Sequence, residues 1–171
     1  MIKLNSIFKR KSIRKFINKE IEDEKIEKII NAGMQAPSAH NTQPWEFIIV
    51  KNRESIEKIA NMSPYAKPAL NGNTVIITVC NMENIEKKKT QNWIEQDMSA
   101  CTQNILLEAV ELGLGGVWLG TYPEEDRVNL LKEEFNIPDN HIPFSTIVLG
   151  YCDDYTRENN FNKSKIHYET Y

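Results

Sequence analysis

Arg10, Ser12 and Arg14 lie two residues apart in the polar segment 10–16, and this spacing could bind a phosphate group. In an extended chain alternate residues face the same way, so two guanidinium groups and a hydroxyl would share one face. A guanidinium binds phosphate through two parallel hydrogen bonds. The alternative is a solvated basic run, which composition alone favours because most charged runs lie at the surface.

Residues 36–45, Ala-Pro-Ser-Ala-His-Asn-Thr-Gln-Pro-Trp, form a second candidate binding segment. The part at 36–44 would connect a helix to a strand, which is long for such a connection and rich in hydrogen-bonding groups. Loops of this kind often bind ligands, and Trp45 could cover a flat ring or fill the core. A structural turn stays open as the alternative, with His40 a solvated loop histidine.

Residues 111–120 contain Gly113, Gly115 and Gly116, which could let backbone amides approach a ligand closely. The segment ends a predicted helix and enters a strand, which is the reverse of a dinucleotide-binding fingerprint. A helix C-cap is therefore the favoured interpretation. The histidines and cysteines lie far apart without zinc spacing, so we predict no metal site.

The elements that would position these segments alternate between helices and strands. Apolar spacing predicts helices at residues 2–9, 22–35, 55–62, 93–112 and 124–135, and strands at residues 47–51, 74–79, 117–119 and 145–151. This alternation predicts an α+β fold, with a sheet covered by helices, in one domain spanning residues 1–171. The helix at 93–112 is apolar nearly all round, so it should be buried in a large core or at a subunit interface.

The composition is that of an ordinary globular protein, since 40 % of the 171 residues are hydrophobic and 26 % are charged. It excludes a disordered or collagen-like chain. The net charge of −3 argues against a chain-wide nucleic-acid-binding surface. The odd count of three cysteines favours a reducing compartment, and no apolar run is long enough to cross a membrane. We therefore expect a cytoplasmic protein.

Together these segments resemble the motifs of the nitroreductase family of flavin enzymes, in the same order and at similar distances. The resemblance rests on residues 10–16, 36–45, 103–109, 112–118 and 165–171. It implies an α+β homodimer with a central mixed or antiparallel sheet and a long helix buried between the intertwined subunits. It also implies one flavin mononucleotide (FMN) in each of two interface sites, and a C-terminal arm, residues 153–171, packed on the partner subunit.

The resemblance also implies three groups of cofactor-binding residues. The contacts to the phosphate and the ribityl chain would come from Arg10, Ser12 and Arg14. The contacts to the ring from the other subunit would come from Pro37, Ser38 and Asn41. The backbone that faces ring atoms N5 and O4 would be that of Leu119, Gly120 and Thr121. Lys11 would lie near the pyrimidine edge of the ring.

The sequence departs from the family at one position. Members usually carry an arginine near position 160 as a further phosphate ligand, and this chain has Asn160. Arg157, Lys163 or Lys165 could replace it, and Lys165 is our candidate. Because lysine lacks the bidentate fork, the phosphate would be held less firmly.

The resemblance implies two-electron transfer from NADH or NADPH to a nitroaromatic, quinone or similar acceptor in alternate half-reactions, without a catalytic protein side chain. A specialised flavin reductase or dehalogenase is one alternative, with residues 64–73 and 81–92 the only candidates for a lid. A flavin-binding redox sensor of low turnover is another. The excess of acidic over basic residues in the chain argues against a nucleic-acid binder that uses the basic run at 9–15. The lack of aromatic residues between the basic ones argues against it too.

Overall fold

The computed structural model describes residues 5–153 and 161–171. Four antiparallel strands form one sheet in the order β1-β2-β4-β3, so β1 and β3 are its edges. The strands are β1 (Trp45–Val50), β2 (Thr74–Asn81), β3 (Leu114–Gly120) and β4 (His141–Tyr151). The helices are α1 (Asn5–Lys9), α2 (Asp23–Met34), α3 (Arg53–Asn61), α4 (Met82–Lys88), α5 (Ile94–Glu111) and α6 (Glu125–Phe135). The predicted α+β class is confirmed.

Helices cover both faces of the sheet, and each face has its own apolar cluster. Along β2, Ile76 and Cys80 belong to the cluster formed with α2 and α5, whereas Val75 and Ile77 belong to the cluster formed with α3 and α6. Both faces of this strand are therefore buried. That explains why β2 is apolar and β-branched along nearly its whole length.

Helix α5 is the longest helix and the centre of the first cluster. Helix α2 crosses it at Gly33, where a Cβ atom would lie 2.9 Å from Ile105 Cγ1. Leu107 and Val110, on the second apolar side of α5, are only half-buried within one chain. In the part of the chain that the structure describes, no helix is both long and apolar enough to span a membrane.

Among the described residues, two elements longer than three residues are absent from the sequence-based prediction. They are a 3-10 segment at Pro64–Asn71 and the short helix α4. The first buries Ala66 and Ala69 completely, and the second does the same with Ile85. These two elements lie within the two stretches that are the candidates for a lid, residues 64–73 and 81–92.

Candidate functional site

The first segment (residues 10–16) lies beside the edge strand β3. The Ile13 N–H donates to the carbonyl oxygen of Gly116 at 2.9 Å, which fixes the backbone in an extended form. Ile13 is buried, whereas Ser12 and Arg14 on either side of it are exposed, in agreement with the predicted alternation. The two other candidates in this segment are half-buried: Arg10 and Lys11.

Two glycines make room for the first segment on the sheet. Gly115 of β3 and Gly150 of β4 are direct partners in the strand register, and we call them the glycine pair. A Cβ atom on Gly115 would lie 2.7 Å from Ile13 Cγ1 and 2.7 Å from Cys152 Sγ, and one on Gly150 would lie 2.8 Å from Phe16 Cδ1. These separations are far below the optimum for carbon contacts. Only glycine lets the first segment lie this close.

The remaining glycines of this region also serve the fold. A Cβ atom on Gly116 would lie 2.9 Å from both Leu106 Cδ2 and Leu149 Cδ2, so this residue lets α5 pack closely on the sheet. Gly113 has a φ of +76° and ends α5, as the C-cap interpretation predicts. Protein atoms occupy the space where a Cβ atom would lie on Gly115 and Gly116, which favours a structural role for both glycines.

The 36–44 loop has an unusual backbone. His40, Asn41 and Gln43 have φ values of 51°, 52° and 46°, in the left-handed region that residues with a Cβ rarely adopt. Ser38 Oγ accepts a hydrogen bond from the Gln43 N–H at 2.9 Å. Such conformations persist only where the surrounding structure enforces them, and they concentrate at functional sites. The three candidate ring contacts in this loop are open to solvent, fully or in part: Pro37, Ser38 and Asn41.

Two side chains from neighbouring helices hold this loop. Asp97 on α5 accepts the Ala39 N–H with both carboxylate oxygens, at 3.0 and 3.1 Å, and its Oδ2 lies 3.5 Å from Thr42 Oγ1. Lys88, the last residue of α4, donates to the carbonyl oxygen of His40 at 2.9 Å. Burial raises the pKa of the Asp97 carboxyl, and its hydrogen bonds to the loop only partly oppose this.

Sequence reasoning does not single out Asp97, although a signal is present. Asp97, Cys101 and Ile105 are four residues apart on the buried stripe of α5. A carboxylate within an apolar stripe needs a hydrogen-bonding partner from another segment. The identity of that partner, the 36–44 loop, is visible only in the structure.

The third candidate group, Leu119 to Thr121, lies where β3 ends. Leu119 is buried, and so is Thr121, whose Oγ1 lies 2.9 Å from Thr146 Oγ1. Gly120 is exposed, and its carbonyl oxygen accepts a hydrogen bond from Arg127 Nη1 at 2.8 Å. The side chains are thus engaged within the protein. What this group can offer a ligand is its backbone.

The C-terminal candidates are described only in part. Lys165 lies in a short 3-10 turn, Lys163–Lys165. Every residue from 161 to 171 is exposed, so this segment has no buried residue within one chain. Two positions of interest lie outside the described residues: Arg157 and Asn160.

A single chain does not bring all these groups together. Glu111, at the end of α5, accepts the Ser6 N–H of α1 at 3.2 Å, close to where the first segment begins. Asp97, near the beginning of α5, holds the 36–44 loop. These two positions are about 21 Å apart along the helix axis, at 1.5 Å per residue. The first segment pairs with β3 at Gly116, and Gly120 is the last residue of that strand. The loop is held at the other end of α5 from the first segment.

Burial makes two of the three cysteines poor nucleophiles. All three are unpaired and buried: Cys80, Cys101 and Cys152. Burial raises the pKa of the Cys80 and Cys101 thiols to about 12, so both stay protonated at neutral pH. Among the described residues, no group of three or more His, Cys, Asp or Glu side chains could hold a metal ion.

Comparison with known proteins identifies the family. The profile described as "Nitroreductase family" matches residues 7–63 and 60–151. A protein of Archaeoglobus fulgidus, provisionally named NADH dehydrogenase/NAD(P)H nitroreductase, is 43 % identical over 170 residues that cover 97 % of both chains. A Clostridium acetobutylicum structure, provisionally named NADH oxidase, superimposes with a TM-score of 0.92 at 45 % identity, covering 97 % of this chain and 99 % of its own.

A more distant structure has the same fold. It is an FMN-dependent nitroreductase from Clostridium difficile, with a TM-score of 0.82 at 28 % identity over 100 % of both chains. The family profile covers most of this chain, and the archaeal relative matches nearly all of it. This chain therefore belongs to the nitroreductase family and is an oxidoreductase.

Proposed function

We propose that this protein is an FMN-dependent oxidoreductase that transfers two electrons from NADH or NADPH to a nitroaromatic, quinone or similar acceptor, in alternate half-reactions. The observation that carries the proposal is the first segment, which offers Ser12 and Arg14 from a backbone fixed beside β3. Bound FMN would supply the redox chemistry, and the protein would supply binding and orientation. The same fold in an FMN-dependent nitroreductase supports this choice of cofactor.

The first segment suits the phosphate of FMN. Arg14 has five N–H donors, one of which reaches the carbonyl oxygen of Ser12 at 3.3 Å. Its remaining donors, together with the Ser12 hydroxyl, could make charge-assisted hydrogen bonds to a phosphate. Arg10 and Lys11 would add two further positive charges. Pro37, Ser38 and Asn41 would then contact the ring, and the backbone from Leu119 to Thr121 would face its N5 edge.

A second copy of the chain would complete this site, because its parts lie at opposite ends of α5. Two chains packed with their α5 helices antiparallel would bring the 36–44 loop of one to the first segment of the other. Apolar side chains that stay exposed or half-buried in one chain supply surface for this contact: Phe8, Trp93, Leu107 and Val110. The arm at 153–171 would pack on the partner and contribute Lys165, with residues 1–171 forming one domain.

No protein side chain is proposed as an acid or base. The residues of the site bind and orient the cofactor and substrates, and the two most deeply buried thiols stay protonated. Three unpaired cysteines support a cytoplasmic location, since reducing conditions keep thiols free.

The purified protein is expected to be a dimer that carries about one FMN per chain. Visible absorption, chromatography of the cofactor released on denaturation, and size-exclusion chromatography with light scattering would measure this. Anaerobic addition of NADH or NADPH would identify the donor, because the visible band bleaches as the flavin is reduced. A colourless protein that also refuses added FMN would overturn the proposal. An FMN-loaded protein that neither nicotinamide reduces would be the low-turnover sensor instead.

Lys11→Ala is expected to slow the reduction of bound FMN by NADH or NADPH by about tenfold, while changing FMN affinity less. A cation at the pyrimidine edge stabilises the negative charge that develops there, and Lys11 is half-buried, so solvent screens it only in part. Stopped-flow absorbance gives the rate, and equilibrium titration gives the affinity. Unchanged reduction rates would remove Lys11 from this role.

A further inference from the structure

The backbone of the 36–44 loop is unfavourable by itself and must be held from outside. His40, Asn41 and Gln43 all have positive φ, although each carries a Cβ atom. The hydrogen bond from the Gln43 N–H to Ser38 Oγ is internal to the loop. It can stabilise the shape of the loop, but it cannot fix the loop relative to the body of the protein.

Asp97 supplies contacts from outside the loop. Its two carboxylate oxygens converge on the N–H of Ala39, the residue just before the first left-handed position. Its Oδ2 also lies 3.5 Å from the hydroxyl of Thr42, just after the second. The carboxylate therefore contacts the loop on both sides of His40 and Asn41.

Burial penalises the ionised form of the Asp97 carboxyl. Its side chain is buried, with only 5 % of the residue exposed, and no salt bridge to it is found among the described residues. Burial raises the pKa of the carboxyl above its ordinary value of 3.8, so protonation is easier in the folded than in the unfolded state. Stability from this group therefore falls as the pH rises from about 3.8 through the folded-state pKa.

We propose that Asp97 is a positioning residue, which fixes the 36–44 loop so that Pro37, Ser38 and Asn41 contact the flavin ring. The inference rests on the proposed function for the identity of the ligand. The ordering of the loop itself can be measured without any flavin.

Asp97→Asn is the decisive variant. It keeps the shape of the side chain, but one of the two oxygens that converge on the Ala39 N–H becomes an NH2 group, and two donors repel. In flavin-free protein, amide hydrogen exchange across residues 38–43 should accelerate by about tenfold. The thermal midpoint at pH 7 should change little, because the lost hydrogen bond and the removed buried charge act in opposite directions. A structural carboxylate would instead lower the midpoint when replaced.

Thr102→Val is the matched control. It is also nearly isosteric, lies on α5, and removes a buried hydroxyl that donates to the carbonyl oxygen of Met98 at 2.8 Å. It should lower the thermal midpoint and leave exchange in the 36–44 loop unchanged. This separates loss of loop order from general loss of stability.

Flavin binding gives the functional readout. In Asp97→Asn, the Kd values for FMN and riboflavin should both rise by about five- to tenfold with their ratio unchanged, because the loop acts on the ring that both share. In Thr102→Val both should stay within about twofold of wild type.

Two results would overturn the inference. One is an Asp97→Asn protein with wild-type loop exchange, whether or not its thermal midpoint falls. The other is faster loop exchange with both flavin affinities unchanged, since the loop would then be ordered for another purpose. A wild-type protein that binds neither flavin overturns the proposed function as well as the ring contact, and loop exchange then decides whether Asp97 orders the loop.

Discussion

Replacing Arg14 by alanine is expected to raise the Kd for FMN by about 10- to 100-fold and to leave the Kd for riboflavin unchanged. Arg14 is exposed beside Ser12 on the first segment, so alanine removes charge-assisted bonds to phosphate without opening a cavity. Riboflavin has the same ring but no phosphate group. Titration of the flavin-stripped protein, followed by flavin fluorescence, would give both constants.

Lys15→Ala is the matched control for this prediction. It removes one positive charge from the next position, which is also exposed but lies on the alternate side of an extended segment. Its FMN affinity should stay within about twofold of wild type, because an unbound surface charge contributes little. Equal losses of FMN binding in the two variants would indicate a diffuse effect of charge and contradict a direct contact. Weaker riboflavin binding in Arg14→Ala would contradict it too.

The predictable parts of the fold are those in which one spacing of apolar residues runs along a whole element. Helices α2 and α5 and strand β2 are predicted to within two residues at each end, because a continuous apolar stripe or a wholly buried strand defines them. Helix α4 is missed because Ile85 is its one fully buried residue. Strand β3 is predicted too short, because Gly115 and Gly116 have low strand propensity and packing overrides it.

The residue types of the site are visible in the sequence, but the contacts that arrange them are not. Ile13 packs against Gly115, although about a hundred residues separate them in the sequence. The parallel bridge between Ser12 and Gly116 holds them together. Asp97 and Ala39 are hydrogen-bonded, although both of the first two strands, β1 and β2, lie between them in the sequence. Such pairings are set by how the helices pack on the sheet. No local spacing encodes them, so the loop and the first segment could be recognised but not placed.

Gly115→Ala is expected to affect stability and FMN binding together. The new Cβ atom would lie 2.7 Å from Ile13 Cγ1 and 2.9 Å from Ile13 Cβ. Because Ile13 Cβ is attached directly to the backbone, the first segment must move as a whole rather than turn one side chain aside. Overpacking of this kind costs about 1–3 kcal/mol. For a chain of this size the thermal midpoint should fall by about 5 °C, and the Kd for FMN should rise by at least about tenfold as Ser12 and Arg14 are displaced.

Gly113→Ala distinguishes displacement of the first segment from loss of stability alone. Gly113 has a φ of +76° and no atom within 4 Å of its missing Cβ, so alanine there meets backbone strain but no neighbour. Strain in the left-handed region costs about 1–2 kcal/mol, which is comparable to the overpacking at Gly115. Gly113→Ala should therefore lower the thermal midpoint by a similar amount while the Kd for FMN stays near wild type. If the two variants lose FMN affinity equally, the glycine pair does not position the phosphate contacts. If only Gly115→Ala loses it, the close approach of the first segment to the sheet is a requirement of binding as well as of folding.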